Sequence, residues 1–102
     1  MSIINTALTT SVSNIYVSSG NTIVSVMYFC NYSVSTVSFN LYAVPSASTA
    51  SNSNIIYNAV QLAAGDTYVV DFEKLVLSNG DTLRANATVT TSITSTVSYI
   101  GV

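Results

Sequence analysis

Residues 61–87 read QLAAGDTYVVDFEKLVLSNGDTLRANA and contain every charged side chain of the 102-residue chain. Within this stretch the phrase Gly-Asp-Thr occurs twice, after Ala64 and after Asn79, and each copy opens a run of alternating or β-branched apolar residues. Glycine adopts the positive φ of a tight turn without steric cost, and aspartate accepts hydrogen bonds from nearby backbone N–H groups. The stretch therefore predicts two structural turns, each starting a strand, at Gly65, Asp66, Gly80 and Asp81.

Apolar and polar residues alternate along much of the remaining chain, which predicts about eight antiparallel strands and no helix of consequence. The run from Ile23 to Cys30 is apolar on both faces. We expect it to form a central strand that is covered on both sides and buries the Cys30 thiol. Val34 to Val44 alternates cleanly, which predicts a half-buried strand that Pro45 ends because proline has no N–H to donate.

The second half of the chain predicts further strands, separated by the two turns. Leu75, Val76 and Leu77 are expected to be buried, and the alternation of Leu83, Ala85 and Ala87 with polar residues is expected to continue as a strand to Thr91. A last strand is predicted over 96–102, and another over 67–72.

Short strands with turn residues about every 8 to 12 positions predict one all-β domain over residues 1–102. The pattern is compatible with a β-sandwich of either jelly-roll or Ig-like connectivity. We expect the long polar loop Ser46–Asn54 to cross between the two sheets, since it separates the two halves of the chain.

The composition argues against an enzyme. The chain has no His and a single Cys, so a triad with an imidazole base is missing. Asp71 and Glu73 would share one face of a strand, but we interpret them as solvated charges beside Lys74. The two Gly-Asp turns could form a Ca²⁺ cup if they lay on the same edge, yet Asp is ordinary turn chemistry. We therefore predict no catalytic residues, no metal site and no cofactor.

The charge balance limits the partners. One Lys and one Arg are too few for nucleic-acid or anionic-membrane binding, and no apolar run approaches the roughly 20 residues of a membrane-spanning helix. The N-terminal residues have no signal-peptide pattern, so we expect synthesis in the cytoplasm. Only 6% of the residues are charged, which removes a common barrier to association. We expect a homo-oligomer or a member of a larger assembly.

Several phrases resemble small all-β virion structural proteins of tailed bacteriophages. The residues that carry the resemblance are the two turn phrases, Leu75-x-Leu77, Leu83-Arg84-Ala85, the upstream Leu41-Tyr42-Ala43-Val44-Pro45-Ser46, and the closing Thr- and Ser-rich strand ending Val97-Ser98-Tyr99-Ile100-Gly101-Val102. The resemblance implies a β-sandwich subunit present in many copies on a virion, with no active site.

Within that family we favour a capsid decoration (cement) protein bound to the major capsid protein, because the chain is small and has no fibre repeat or coiled coil. A neck, tail or baseplate/fibre component is the alternative. A more distant alternative is a carbohydrate-binding adhesion module, which would need tyrosines such as the outward Tyr42 and Asn side chains gathered on one exposed surface.

Overall fold

A computed structural model describes residues 2–70 and 75–101, which form nine β-strands and no helix. None of these residues belongs to a helix that is long and apolar enough to cross a membrane. The strands are β1 (Ser2–Ala7), β2 (Ser13–Val17), β3 (Thr22–Asn31), β4 (Val37–Val44), β5 (Ile55–Leu62), β6 (Thr67–Val70), β7 (Leu75–Leu77), β8 (Thr82–Ala87) and β9 (Ile93–Gly101).

The strands form two antiparallel sheets. The first sheet has the order β1-β9-β3-β6, with β7 also paired to β3, and the second has the order β2-β8-β4-β5. Because β6 and β7 lie end to end along one edge of β3, they act as a single edge strand split in two. The predicted all-β sandwich is confirmed.

The connectivity is that of a jelly roll rather than an Ig-like fold. The chain crosses between the sheets at nearly every connection, and only β4–β5 and β6–β7 stay in the same sheet. The long loop between β4 and β5 therefore does not cross between sheets, and that prediction was wrong. Its ends lie close together because β5 pairs directly with β4, with Tyr42 opposite Ile55.

Aromatic contacts join the two sheets across the core. Phe29 of the first sheet stacks on Phe39 of the second, with ring centroids 4.4 Å apart. On either side of this pair lie two further contacts between the sheets, Tyr16 with Tyr99 at 4.4 Å and Tyr57 with Tyr68 at 5.5 Å. Offset and edge-to-face ring pairs of this kind contribute about 0.5–1.5 kcal/mol each beyond the area they bury.

A β-bulge changes which residues of β3 face the core. The pairing of β3 with β9 shifts between Val24 and Val26, so that Val24, Met27 and Phe29 are buried. Tyr28 points outward and is 40% exposed, and Cys30 is half-buried on the same outer side. The prediction that β3 is covered on both sides and buries its thiol was wrong, because the second sheet covers only one face.

The predicted strand that ends at Thr91 is also too long. β8 ends at Ala87, and Thr91 has a positive φ of 61° that reverses the chain before β9 begins at Ile93. Ser92 is fully buried in this turn, where its hydroxyl donates to the carbonyl of Val89. Alternation alone does not reveal such a reversal, because Ser and Thr occupy both strands and turns.

Candidate interaction surfaces

The first Gly-Asp turn is attached to the end of β3 by two backbone hydrogen bonds. Gly65 N–H donates to the carbonyl of Asn31, and Asn31 N–H donates to the carbonyl of Asp66, both at 2.9 Å. Gly65 has a φ of 80°, as a turn of this kind requires. The Asn31 side chain is itself fully buried and bonds the loop from Ser33 to Ser35 and the carbonyl of Leu62.

The second Gly-Asp turn makes the same pair of bonds with a different residue. Gly80 N–H donates to the carbonyl of Ser18, and Ser18 N–H donates to the carbonyl of Asp81, again at 2.9 Å each. Gly80 has a φ of 90°. The repeated sequence phrase therefore builds the same two-bond attachment twice, once at each end of the sandwich.

Asp81 also ties three loops together. One carboxylate oxygen accepts a hydrogen bond from Ser46 N–H and the other accepts one from Ser78 N–H, each at 2.9 Å. Close by, Asn79 accepts a hydrogen bond from Gly20 N–H at 2.8 Å. The carboxylate is thus engaged in holding loops, which is a structural role.

The two turns lie too far apart to share a ligand. The Asp66 turn bonds the last residue of β3, whereas the Asp81 turn packs beside its first residues. Ten strand residues separate the two ends, roughly 30 Å at about 3.3 Å per residue. In the parts of the chain that the structure describes, no three His, Cys, Asp or Glu side chains cluster. Asp71 and Glu73 lie outside the described residues.

The outer face of the first sheet is apolar. Cross-strand pairing places its residues in three rows. In the first row, Ile23 lies between Val76 and Ile100. In the second row, Val26 and Ile3 flank Ser98, and in the third, Tyr28 lies opposite Val69. Val76 is 70% exposed and Ile3 is 65% exposed. The prediction that Val76 is buried was therefore wrong. We call this surface the apolar face; it consists of Ile3, Ile23, Val26, Tyr28, Val69, Val76 and Ile100.

None of the described residues on the apolar face carries a charge. The described charged side chains are Asp66 and Asp81 in the turns and Arg84 on the second sheet. An exposed apolar patch without charge is a candidate surface for binding another protein. The half-buried Thr94 and Thr96 on the same side add neutral hydroxyls that do not repel another chain.

The outer face of the second sheet is polar. Arg84 lies between Asn14 and Tyr42 in the sheet, and Asn40 lies opposite Asn86. The Asn40 side-chain amide donates to Asn86 Oδ1 at 3.1 Å, and Asn40 Oδ1 accepts a hydrogen bond from Ala59 N–H at 2.7 Å. These amides already serve the sheet, and the Arg84 guanidinium donates hydrogen bonds to the Thr82 hydroxyl and to the carbonyl of Ser48. The half-buried Tyr42 lies opposite Arg84 on the same face.

The loop between β4 and β5 encloses an open depression of about 450 Å³. Its lining runs from Pro45 to Asn54 and contains only small or uncharged side chains. The Asn54 side chain closes the loop by donating to the carbonyl of Thr49 and accepting from Ser51 N–H. The residues that line the depression include no charged or aromatic side chain that would orient a ligand.

Sequence reasoning missed the apolar face, although a signal for it was present. The run from Ile23 to Cys30 is apolar at both alternating sets of positions, which was interpreted as burial on both sides. The same pattern is expected of a strand with one face in the core and the other in an interface.

Comparison of the chain with protein-family models, with curated proteins and with solved structures finds no match. The fold and surfaces define its class as a jelly-roll β-sandwich with one polar and one apolar outer face.

Proposed function

We propose that this chain is a non-enzymatic structural subunit of a tailed-phage virion, and that it binds the capsid shell as a decoration protein. The observation that carries the proposal is the uncharged apolar face on a sheet whose outer side is left uncovered by the described residues. The sequence resemblance to virion proteins supplies the kind of assembly, and the absence of His from the chain supports a role without catalysis.

The size of the apolar face suggests how such a subunit binds. Strands about 4.8 Å apart with a rise of about 3.3 Å per residue give the face an area of roughly 300–400 Å². Its burial contributes roughly 9 kcal/mol at about 25 cal/mol per Å². Association costs about 4–15 kcal/mol, so one face holds one subunit weakly. Several faces joined in one oligomer would bind a repeating shell far more tightly than a single face does.

Labelling of purified particles with a gold-tagged antibody to this chain tests the location by electron microscopy. Gold spread over the heads is the expected result. Gold confined to one vertex or to the tail would replace decoration by a neck, tail or baseplate role, and particles without gold would remove the virion proposal altogether.

The binding surface is tested by two variants that add the same charge on opposite sheets. Tyr28→Lys places a charge on the apolar face opposite Val69, and Gln61→Lys places one on an exposed position of the second sheet. We expect Tyr28→Lys to bind particles lacking the protein at least about tenfold more weakly than wild type, and Gln61→Lys to bind as wild type does. Equal binding by both variants would show that another surface makes the contact.

A carbohydrate-binding module is the second candidate, favoured by the half-buried Tyr42 beside Arg84 on the outer face of the second sheet. A glycan array would then show saturable binding that Tyr42→Ala abolishes. An array without signal removes this candidate.

A further inference from the structure

The four edges of the two sheets differ in how well they resist pairing with another strand. The pairing of β2 with β8 is interrupted by a register shift, and β5 has two shifts and a positive φ of 54° at Ala59. In the first sheet, the edge opposite β1 is split into the two short strands β6 and β7. Bulges and short strands of this kind hinder edge-to-edge pairing.

The remaining edge, β1, has none of these features. Its register with β9 runs without a break from Ser2 to Ala7, and its sequence SIINTA contains no charge, no Pro and no Gly. Among the strands that the structure describes, β1 pairs with β9 alone. A regular, uncharged edge strand is a template for a further strand.

The hydrogen bonds of β1 identify which backbone groups face the open edge. Leu8 N–H donates to the carbonyl of Ile93 at 2.8 Å, and the carbonyl of Thr6 accepts a hydrogen bond from the Ser95 hydroxyl. Alternate residues of an antiparallel strand bond to opposite sides. Ser2, Ile4 and Thr6 therefore face β9, and the N–H and C=O groups of Ile3, Asn5 and Ala7 face outward.

We propose that two copies of this chain associate by pairing their β1 strands antiparallel, so that the first sheet continues from one copy into the other. An antiparallel edge contact is self-complementary, because a two-fold axis at Asn5 places Ile3 of each copy opposite Ala7 of the other. The outward groups of all three residues are then bonded in both copies.

Charge favours a second copy as the occupant. A charged strand from another protein would find no opposite charge on β1 or on the neighbouring β9, whereas a copy of β1 meets an uncharged strand with uncharged residues. Ile3 belongs to both the apolar face and the edge, so pairing also brings the two apolar faces side by side in one surface of doubled area.

The inference rests on the proposed function in one respect, namely that the virion subunit associates with copies of itself. The two fail separately, because a monomeric chain that labels phage heads removes the β1 pairing alone. A dimer that is absent from particles removes the virion role alone.

Asn5→Pro tests the pairing on the purified chain. Proline lacks the N–H that faces the open edge, yet leaves the hydrogen bonds to β9 in place. Asn5→Ala is the matched control, since it retains that N–H and also loses the Asn5 side chain, which accepts a hydrogen bond from Thr96. We expect sedimentation up to about 1 mM to show a dimer for wild type and Asn5→Ala, and a dissociation constant at least about tenfold higher for Asn5→Pro.

Amide hydrogen exchange of the wild-type chain provides a readout that needs no variant. The amides of Ile3, Asn5 and Ala7 should exchange at least about tenfold more slowly at high protein concentration, whereas exposed loop amides should not change. A chain that stays monomeric throughout, or a dimer in which these three amides exchange as fast as in dilute solution, overturns the proposal.

Discussion

Two single residues, Ser18 and Asn31, each hold one Gly-Asp turn against a strand end through a pair of backbone hydrogen bonds. Asn31 adds its side chain, whose amide donates to the carbonyls of Ser35 and Leu62 and whose oxygen accepts from Ser33. A fully buried amide is stable only when its hydrogen bonds are satisfied, as they are here. This residue therefore joins the β3–β4 loop to the β5–β6 turn.

Replacing Asn31 by Asp should destabilise the protein by about 3 kcal/mol or more. The change removes two donors and sets a carboxylate against two carbonyl oxygens in a buried site. Urea unfolding measures the loss, which should shrink as the pH falls, because a protonated carboxyl again donates one hydrogen bond. Asn58→Asp at an exposed position is the control and should change stability by less than about 0.5 kcal/mol.

The two turn glycines should differ in their tolerance of substitution. Both have positive φ, but a Cβ at Gly65 meets no atom within 4 Å, whereas one at Gly80 lies 2.7 Å from the Ser46 hydroxyl oxygen. We expect Gly65→Val to cost about 1–3 kcal/mol and Gly80→Val to cost more. Thermal melting decides this, and a Gly80→Val protein that melts like wild type would contradict it.

At the scale of the elements, tyrosine pairs close the two sides of the sandwich. Tyr57 of β5 and Tyr68 of β6 lie on edge strands of different sheets, and Phe39 also contacts Tyr68 at 5.9 Å. Burial, together with the neighbouring Tyr68 hydroxyl, raises the pKa of Tyr57 above its ordinary value. The folded protein therefore holds the Tyr57 proton more tightly than the unfolded chain does.

This pKa shift predicts loss of stability in alkali. A raised pKa in the folded state stabilises fully below about pH 10 and is lost as the pH rises through the folded value. Between about pH 9 and pH 11, the stability of Tyr57→Phe should fall less than that of wild type in urea titrations. Tyr32→Phe, at an exposed tyrosine, should follow wild type. Identical curves for the two variants would exclude a contribution from Tyr57.

At the scale of the whole molecule, the two outer faces have different chemistry. The second sheet carries amides, Tyr42 and Arg84, and the first carries the apolar face without a described charge. A β-sandwich needs only one apolar face on each sheet for its core, so a second apolar face adds nothing to folding of the isolated subunit. Under the proposed function, this second apolar face is the surface that contacts the shell.

An uncharged contact should be insensitive to salt. Raising NaCl from about 0.05 to 0.5 M shortens the range of charge interactions severalfold but leaves apolar contacts intact. We therefore expect co-sedimentation of the purified chain with particles that lack it to be unchanged or slightly stronger at high salt. Release of the chain by salt would show that charges outside the apolar face hold the contact.

The sequence by itself determined the all-β class, the two Gly-Asp turns, the half-buried alternation of β4 and its end before Pro45. These features follow from local chemistry: alternation with a period of two, glycine at positive φ, and the missing N–H of proline. None of these features depends on how the strands pair within the sheets.

Only the tertiary structure decided which face of β3 enters the core, where β8 ends and which sheet each strand joins. The bulge after Val24 shifts the register by one residue, and such a shift exchanges the inward and outward sets. Thr91 takes a positive φ in a turn that is held from a distant part of the chain, because Tyr32 N–H donates to the carbonyl of the buried Ser92. The jelly-roll order, and with it the apolar face and the open β1 edge, arises from pairings between residues far apart in the chain, and local patterns do not specify these pairings.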